Sequence, residues 1–247
     1  MIPPRPADRQ NRPPIPTSDT VLNVSVVLLA AGAGRRFGKQ KQFLGLGRRP
    51  LFHWPLNTFH RVASVTDVVL VVPSDRVGWA QRYAARQGFK KVSAVVAGGA
   101  QRADSVRRGL GALGKKFDVV LIHDSARALV TPDIVDRVAQ AAHRCGAALA
   151  ARPVADTIKV ARAKNGRFYV RRTVSREGLW LAQTPQGLRR DVAERVASRL
   201  SATLTDDVQA AERLGIPVEL VAGSAANFKV TVPEDFQLCR ALFNDRE

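Results

Sequence analysis

From Val24 onward, short apolar runs alternate with longer amphipathic stretches. Each run spans four or five residues: Val26–Ala30, Val68–Val72, Val92–Val96, Val119–Ile122, Ala147–Ala150 and Val218–Val221. Runs this short and continuously apolar are typical of strands buried on both faces of a sheet. Between them, the segments 103–113, 131–144 and 189–200 place apolar residues at helical spacing. This alternation predicts an α/β fold with a doubly wound, mostly parallel sheet.

The segment at about 152–180 is basic and polar, and it interrupts this alternation. Its Asn165-Gly166 pair is a strong signal for a type I′ hairpin turn, and apolar residues such as Ile158 and Phe168 flank the pair. We therefore expect a β-arm that projects from the main sheet. Because a lone hairpin is marginal in water, the arm needs a packing partner, and a second copy of the chain is the simplest one. The arm thus predicts a homodimer.

Charge restricts the classes of partner. The 247 residues include 39 Lys+Arg and 21 Asp+Glu, which gives a formal net charge of +18, and 45% are hydrophobic, enough for a sizeable core. Such an excess of positive charge predicts an anionic partner, which could be nucleic acid, an acidic membrane surface or a phosphorylated small molecule. No segment approaches the ~18 consecutive apolar residues of a membrane span, so we expect no membrane partner.

The first residues and the cysteines indicate the domain limits and the compartment. Six of the 14 prolines fall within the first twenty residues, which lack an apolar run. We therefore expect a disordered tail over residues 1–22 and one domain over residues 23–247. Cys145 and Cys239 lie far apart, without metal-ligand spacing. Neither a disulfide framework nor a zinc site is predicted, and a reducing, cytoplasmic location fits.

A glycine-rich turn follows the first apolar run. Gly32 and Gly34 let the backbone point several N–H groups at one spot, which suits phosphate oxygens. The residues of a Walker A loop are absent. A dinucleotide-binding fingerprint is disfavoured because Gly38 comes one residue too late and no acid occurs between Asp19 and Asp67. A plain strand-to-helix turn explains the glycines but not the basic residues that follow at once: Arg35, Arg36, Lys39 and Lys41.

The motifs and their order resemble one enzyme family. L-A-A-G-x-G-x-R at 29–36, followed by K-Q-F at 41–43, resembles nucleotidyltransferases that activate sugar or polyol phosphates. Six further motifs narrow the resemblance to the 2-C-methyl-D-erythritol 4-phosphate cytidylyltransferases: GGAQRADSV at 98–106, IHDSARALV at 122–130, PVADTIK at 153–159, SREGLWLAQTPQ at 175–186, LTDD at 204–207 and NFKVTVPEDF at 227–236. The match extends from about Val24 to Phe243.

The resemblance implies a reaction, a fold and a cofactor. The cytidylyl group of CTP would pass to 2-C-methyl-D-erythritol 4-phosphate, giving 4-diphosphocytidyl-2-C-methyl-D-erythritol and pyrophosphate in the non-mevalonate route to isoprenoid precursors. The fold would be Rossmann-like, CTP would be the co-substrate, and Mg²⁺ would assist.

The resemblance also implies which residues hold the nucleotide. Arg36 and Lys41 would stabilise the α-phosphate; a solvated basic loop is the alternative for both. The sequence lacks the family's proline before Lys41, which puts the stiffness of this loop in doubt. Ser105 would add a hydroxyl to a cytosine site read by backbone groups, although it could equally cap a helix, as could Asp104. The remaining nucleotide contacts would be Ala30, Ala31, Gly32, Ala33, Gly34, Gly98, Gly99, Ala100 and Arg127.

The metal and the polyol phosphate would use a third group of residues. Asp124 follows a buried strand and is the candidate Mg²⁺ ligand. The run His123-Asp124-Ser125 does not indicate a hydrolase triad, because consecutive strand residues point to opposite faces. The polyol phosphate would meet Arg176 and Lys229, both also counted as catalytic, together with Thr157, Thr184 and Asp206. Asp206 could instead be an acid at a helix N-terminus.

Two other functions compete with the leading one. A cytidylyltransferase for ribitol 5-phosphate would share the handling of CTP. The charge of +18 also allows a basic nucleic-acid-binding protein, but Phe168 and Tyr169 are the arm's only side chains suited to base stacking, so we expect no specific nucleic-acid partner. Bifunctional family members append a cyclodiphosphate synthase domain with metal-binding His residues, and with four His in all we expect none here.

Overall fold

A computed structural model describes residues 22–114, 116–201, 203–204 and 206–244. The predicted tail lies outside this range, except for Leu22, which is buried in the core.

The chain alternates strands and helices as the apolar pattern predicts. The strands are β1 (Val24–Leu29), β2 (Gly45–Leu46), β3 (Arg49–Pro50), β4 (Val65–Val72), β5 (Val92–Ala97), β6 (Val119–Asp124), β7 (Ala147–Pro153), β8 (Ile158–Lys164), β9 (Arg167–Val174), β10 (Trp180–Arg189) and β11 (Val218–Ala222). The helices are α1 (His53–Arg61), α2 (Val77–Arg86), α3 (Arg102–Gly111), α4 (Pro132–Cys145), α5 (Arg190–Ala197), α6 (Gln209–Arg213) and α7 (Pro233–Asn244).

Seven strands form the central sheet, in the order β11-β7-β10-β6-β1-β4-β5. Neighbouring strands run parallel except at β10, which is antiparallel to both β6 and β7. The predicted mostly parallel α/β sheet is therefore confirmed. None of the helices in the described part of the chain is long and apolar enough to cross a membrane.

Helices cover both faces of the sheet, which explains why its strands are continuously apolar. In β1, Val26 and Leu28 pack in one apolar cluster with residues of α1, α2 and α4. Val27 and Leu29 point the other way, into a cluster that includes residues of α3, α5 and α6. Because side chains alternate along a strand, one buried strand supplies both layers of the core.

The segment before α1 and the helix α7 pack together in a third apolar cluster beside the sheet. The cluster contains Phe37 from the glycine-rich loop and Phe243 from α7. Phe37 packs edge-on against Phe236, with 6.2 Å between ring centroids, and Trp54 lies 4.3 Å from the ring of Phe243. The end of the glycine-rich loop is thereby attached to α7.

The strand β10 was not predicted, because its sequence WLAQTPQGLR is polar and contains proline and glycine. Its central residues are nevertheless buried, because the polar side chains have partners inside the molecule. The Gln186 Oε1 accepts from the backbone N–H groups of Asp207 and Val208 at 2.8 and 3.2 Å. At Gly187 a Cβ atom would lie 2.8 Å from the Cβ of Ala142, so glycine lets β10 approach α4 closely.

The predicted β-arm is present as the hairpin of β8 and β9. Its turn residues Asn165 and Gly166 have φ values of 50° and 71°, which confirms the type I′ signal. The cross-strand pairs place Phe168 and Val170 on one face, 80% and 64% exposed, whereas Tyr169 lies on the opposite face. We call these the apolar face and the basic face, since the second face also carries Arg162, Lys164, Arg167 and Arg172.

Candidate active site

A cavity of about 430 Å³ opens at the carboxyl ends of β1 and β6. The chain leaves β1 toward β4 on one side and later returns to place β6 on the other side, so the cavity lies where the strand order reverses, as ligand sites in open α/β sheets do. Most of the predicted nucleotide and phosphate residues line it: Ala30, Ala31, Gly32, Ala33, Gly34, Arg36, Lys41, Gly99, Ala100, Ser105, Asp124 and Lys229. The structure therefore brings these predicted residues together around one cavity, which is the candidate site.

The glycine-rich loop is folded tightly against the segment that carries Lys41. Gly34 has φ +70°, and a Cβ atom there would lie 1.8 Å from the carbonyl oxygen of Lys39. The buried Gln42 Nε2 donates to the carbonyl oxygen of Gly32 at 2.9 Å. Gln42 and Lys41 share a single 3₁₀ turn, so this bond attaches the loop to the turn without the family's proline.

The loop that follows β5 and begins at Gly98 packs directly against the glycine-rich loop. A Cβ atom at Gly98 would lie 2.3 Å from the Cβ of Ala31, which leaves no room for a side chain. Gly98 therefore shapes the cavity from behind and does not line it. The Ser105 Oγ accepts from Gly99 N–H at 3.1 Å and lies in the cavity wall. Asp104 accepts from Gln101 N–H at 3.2 Å at the start of α3, which confirms the capping interpretation for Asp104.

Among the described residues that line the cavity, Asp124 alone carries a carboxylate, and this carboxylate lies between two cations. Its Oδ1 accepts from Arg102 Nε at 3.2 Å, and its Oδ2 accepts from Lys229 Nζ at 2.7 Å. The N–H of Val230 donates to the Ala126 carbonyl oxygen at 2.9 Å, which brings Lys229 to this point. Burial acts to raise the pKa of Asp124, but Arg102 and Lys229 outweigh it, and the pKa lies well below its usual range.

Positive charge dominates the rest of the wall. Burial lowers the pKa of Lys41, and the nearby Lys229 and Arg36 lower it further. A bound polyphosphate would supply the opposite charge that this cluster lacks. The cations that line the cavity are Arg35, Arg36, Lys41, Arg102 and Lys229.

His123 is part of a structural hydrogen-bond network and not of a hydrolase triad. Its Nε2 donates to the carbonyl oxygen of Arg127 at 3.2 Å, so Nδ1 accepts from the Thr184 hydroxyl at 3.0 Å. Burial lowers the pKa of His123 to about 4, which keeps the ring neutral. The Thr184 Oγ1 also accepts from Asp124 N–H at 3.1 Å. Thr184 therefore holds the backbone of Asp124 from behind the cavity.

Four other predicted site residues do not reach the cavity wall. Arg127 is half-buried and donates to the carbonyl oxygens of Asn227 and Ala182 at 2.8 and 3.2 Å. Thr157 and Arg176 are exposed beside the arm, and Arg176 Nη1 donates to the carbonyl oxygen of Ala155. Asp206 borders a smaller cavity of about 80 Å³ on the far side of Arg102, and its Oδ1 accepts from Gln209 N–H at 3.0 Å, as an acid at a helix N-terminus does.

Sequence reasoning missed part of the site. Gln42 belongs to the K-Q-F motif, and its buried polar side chain gave no separate signal. Arg102 belongs to the GGAQRADSV motif, but its contact with Asp124 was not predicted. Asp207 was read only as part of L-T-D-D, although it pairs with Arg102 through both oxygens, at 2.7 and 2.8 Å. Contacts between residues 105 positions apart leave no local pattern.

A mostly parallel α/β sheet with a basic glycine-rich loop at its switch point is typical of enzymes that bind nucleotides or other phosphorylated substrates, and nucleotidyltransferases are one such class. The family model described as "IspD: 2-C-methyl-D-erythritol 4-phosphate cytidylyltransferase" matches residues 24–245. The chain belongs to this family.

Relatives and solved structures agree with the family. The 2-C-methyl-D-erythritol 4-phosphate cytidylyltransferase of Pelotomaculum thermopropionicum is 42% identical over 230 residues, covering 91% of this chain and 95% of that protein. A bifunctional enzyme IspD/IspF of an Anaeromyxobacter species is also 42% identical, over 89% of this chain, which spans 57% of that longer protein. The crystal structure of the Thermus thermophilus cytidylyltransferase superposes with a TM-score of 0.70 at 38% identity, covering 90% of this chain and 100% of that one.

Proposed function

We propose that the chain transfers the cytidylyl group of CTP to 2-C-methyl-D-erythritol 4-phosphate, giving 4-diphosphocytidyl-2-C-methyl-D-erythritol and pyrophosphate. The observation that carries this function is the cavity itself, where a glycine-rich loop, five cations and one carboxylate meet at the carboxyl ends of β1 and β6. Family membership names the polyol, and it favours methylerythritol phosphate over the ribitol phosphate that the sequence left open.

The reaction needs positioned charge more than a general base. An oxygen of the polyol phosphate attacks the α-phosphorus of CTP, the bond to the pyrophosphate oxygen breaks, and negative charge spreads over the transferring group. The attacking phosphate is already anionic near neutral pH. Arg36 and Lys41 are proposed to stabilise the charge at the α-phosphorus, and the N–H groups of residues 30–34 to hold the triphosphate.

A magnesium ion fits this arrangement as part of a complex with the nucleotide. No cluster of three His, Cys, Asp or Glu side chains suited to a metal occurs in the described part of the chain. Mg²⁺ is usually held by one or two carboxylates together with substrate phosphates, and Asp124 supplies one carboxylate at the cavity wall. Asp124 is therefore the proposed protein ligand. The ion would neutralise phosphate charge.

The proposed polyol-phosphate site requires a second copy of the chain. Lys229 lies in the cavity, whereas Thr157 and Arg176 lie outside it at the base of the arm. In a homodimer that exchanges arms, these two residues would reach the partner's cavity, and Arg176 suits a phosphate dianion. The apolar face of the arm supports such a dimer, because Phe168 and Val170 on this face are large apolar side chains that remain mostly exposed.

The proposed compartment is the cytoplasm. Cys145 is a free cysteine, which is typical of a reducing environment.

The test is an assay with purified protein, CTP, Mg²⁺ and each polyol phosphate in turn, with pyrophosphate release as the readout. We expect release with methylerythritol phosphate at a kcat/KM well above that for ribitol phosphate. Faster turnover of ribitol phosphate would overturn the choice of substrate, and release with neither would overturn the function.

A companion experiment tests the assigned cations. Arg36→Ala and Lys41→Ala are each expected to lower kcat by roughly 100- to 1000-fold, since each removes charge that acts on the transition state. Arg48→Ala is the matched control, because Arg48 is an exposed arginine of the same basic stretch outside the cavity. A folded double variant Arg36→Ala/Lys41→Ala with normal activity would refute the assignment.

A further inference from the structure

The Arg102 guanidinium joins two acidic side chains that belong to different parts of the chain. Its two terminal nitrogens donate to Asp207, Nη1 to Oδ1 at 2.7 Å and Nη2 to Oδ2 at 2.8 Å. Its Nε donates to Asp124 Oδ1 at 3.2 Å. All three nitrogens are thus engaged, and the planar fork fixes the two carboxylates relative to each other.

Asp207 is itself held in place from inside the fold. It is 2% exposed, and its backbone N–H donates to the Gln186 side chain in the centre of β10 at 2.8 Å. The adjacent N–H of Val208 donates to the same oxygen at 3.2 Å. The outer end of the Arg102 guanidinium is therefore anchored to the central sheet.

Arg102 also separates two cavities. It lines the wall of the nucleotide cavity and, with Asp206 and Asp207, the wall of the smaller cavity behind it. The pKa of Arg102 is raised: burial acts against the charged form, and Asp124 and Asp207 outweigh it. The guanidinium therefore stays charged where it meets the nucleotide cavity.

We propose that Arg102 is a positioning residue for the reaction, transmitting the fixed geometry of Asp207 to the carboxylate of Asp124. The inference rests on the proposed function, because it concerns how Asp124 meets a nucleotide and its cation. Arg102 holds Oδ1 and Lys229 holds Oδ2, so the carboxylate keeps one orientation toward the cavity. Without Arg102, Lys229 is the remaining ion-pair partner of Asp124, and the carboxylate is free to turn.

Geometry and charge at position 102 can be separated by substitution. A lysine at position 102 retains the positive charge, but one ammonium group cannot hold both oxygens of Asp207 and also reach Asp124 in the same plane. Residues that orient a metal ligand typically contribute about 10- to 100-fold to metal affinity or activity. We therefore expect Arg102→Lys to reduce the effect of Mg²⁺ on CTP affinity nearly as much as Arg102→Ala does.

The experiment measures CTP binding by calorimetry in the presence and absence of Mg²⁺, alongside kcat and KM. For Arg102→Lys we expect the gain in CTP affinity on adding Mg²⁺ to fall at least tenfold, with CTP binding in the absence of Mg²⁺ changed less than threefold. Arg189→Lys is the matched control. The Arg189–Asp191 pair has hydrogen bonds of 2.7 and 3.0 Å, similar to those of the Arg102–Asp207 pair, but it lies at the exposed start of α5.

Each outcome decides the question. A wild-type response of CTP affinity to Mg²⁺ in Arg102→Lys overturns the proposal. A lower melting temperature of this variant with unchanged CTP binding in the folded protein also overturns it, because Arg102 would then have a structural role alone. If Arg102→Lys does not fold, Asp207→Asn carries the same measurement. The binding readout does not depend on turnover. A wild-type protein that binds CTP and Mg²⁺ but transfers nothing would refute the proposed function, and the response of Arg102→Lys to Mg²⁺ would still decide the positioning role.

Discussion

At the scale of single residues, the site depends on one carboxylate among several cations. Arg102 and Lys229 together outweigh the cost of burying Asp124, and Thr184 accepts from its backbone N–H. A cation lost from this set leaves a buried charge without compensation, which is costly in a protein interior. We therefore expect substitutions of these cations to affect folding as well as catalysis, and stability must be measured beside activity.

A histidine that does not line the cavity makes stability depend on pH. Burial, aided by Arg49, lowers the pKa of His53 to about 4, and its Nδ1 lies 3.0 Å from the Tyr83 hydroxyl. The unfolded chain takes up this proton near pH 6.5, whereas the folded chain resists until about pH 4. The contribution of His53 to the unfolding free energy is therefore complete above pH 6.5 and is lost as the pH falls toward 4. The loss between pH 7 and pH 5 is about 2 kcal/mol.

The measurement is chemical unfolding at pH 7 and pH 5 for the wild type and for His53→Gln. A glutamine at this position cannot titrate, so the decrease in unfolding free energy between the two pH values should shrink by about 2 kcal/mol. An equally steep pH dependence in both proteins would contradict the expectation.

At the scale of elements, close packing of α3 on the sheet depends on the absence of one side chain. A Cβ atom at Gly109 would lie 2.4 Å from Val27 Cγ1 in β1 and 3.1 Å from Val71 Cγ2 in β4. The helix that begins at Arg102 is thereby held against the strands that end at the nucleotide cavity. Glycine is required here by contact and not by backbone conformation.

Two alanine substitutions in α3 should therefore have opposite effects. Gly109→Ala is expected to lower the unfolding free energy by about 1 to 3 kcal/mol, because Val27 and Val71 must move apart. Gly111→Ala is the control on the same helix: it has open space around the new methyl group and should gain up to ~1 kcal/mol from helix propensity. Thermal melting of both variants checks the pair, and equal effects would contradict the packing argument.

The same scale shows what the sequence could predict. Six apolar runs predicted six of the seven strands of the central sheet, because burial on both faces leaves a continuous apolar signature. The strand β10 escaped, since its polar residues are buried through long-range partners such as Gln186 with Asp207. The candidate site shows the same difference between local sequence patterns and long-range contacts. Loops with their own motifs were predicted as parts of the site and line one cavity, whereas the link from Asp207 through Arg102 to Asp124 is visible only in the folded chain.

At the scale of the whole molecule, the arm is the feature that calls for a second copy. Its apolar face exposes Phe168 and Val170, and Tyr169 between them points to the basic face. An interface formed by the apolar face would bury Phe168 and leave Tyr169 in solvent. The dimer can therefore be tested with two neighbouring residues.

We expect a dimer in solution, and Phe168→Glu should weaken it by roughly 100-fold or more by placing a charge in the interface. Tyr169→Glu adds the same charge on the opposite face and should leave the dimer intact. Light scattering over a range of protein concentrations measures both. A monomeric wild type, or equal weakening by both substitutions, would refute an interface on the apolar face.

The composition of the arm also sets how the molecule should respond to ionic strength. Residues 158–174 contain six cations and no acid, and none of the six pairs with a carboxylate in the described chain: Lys159, Arg162, Lys164, Arg167, Arg171 and Arg172. When two arms pack through their apolar faces, their cations repel each other, and counterions reduce that repulsion. Counterions also screen the attraction of the cationic cavity for a polyphosphate. Added salt should therefore strengthen dimer formation and weaken the binding of the nucleotide. The activity of the dimer is expected to be highest at an intermediate ionic strength.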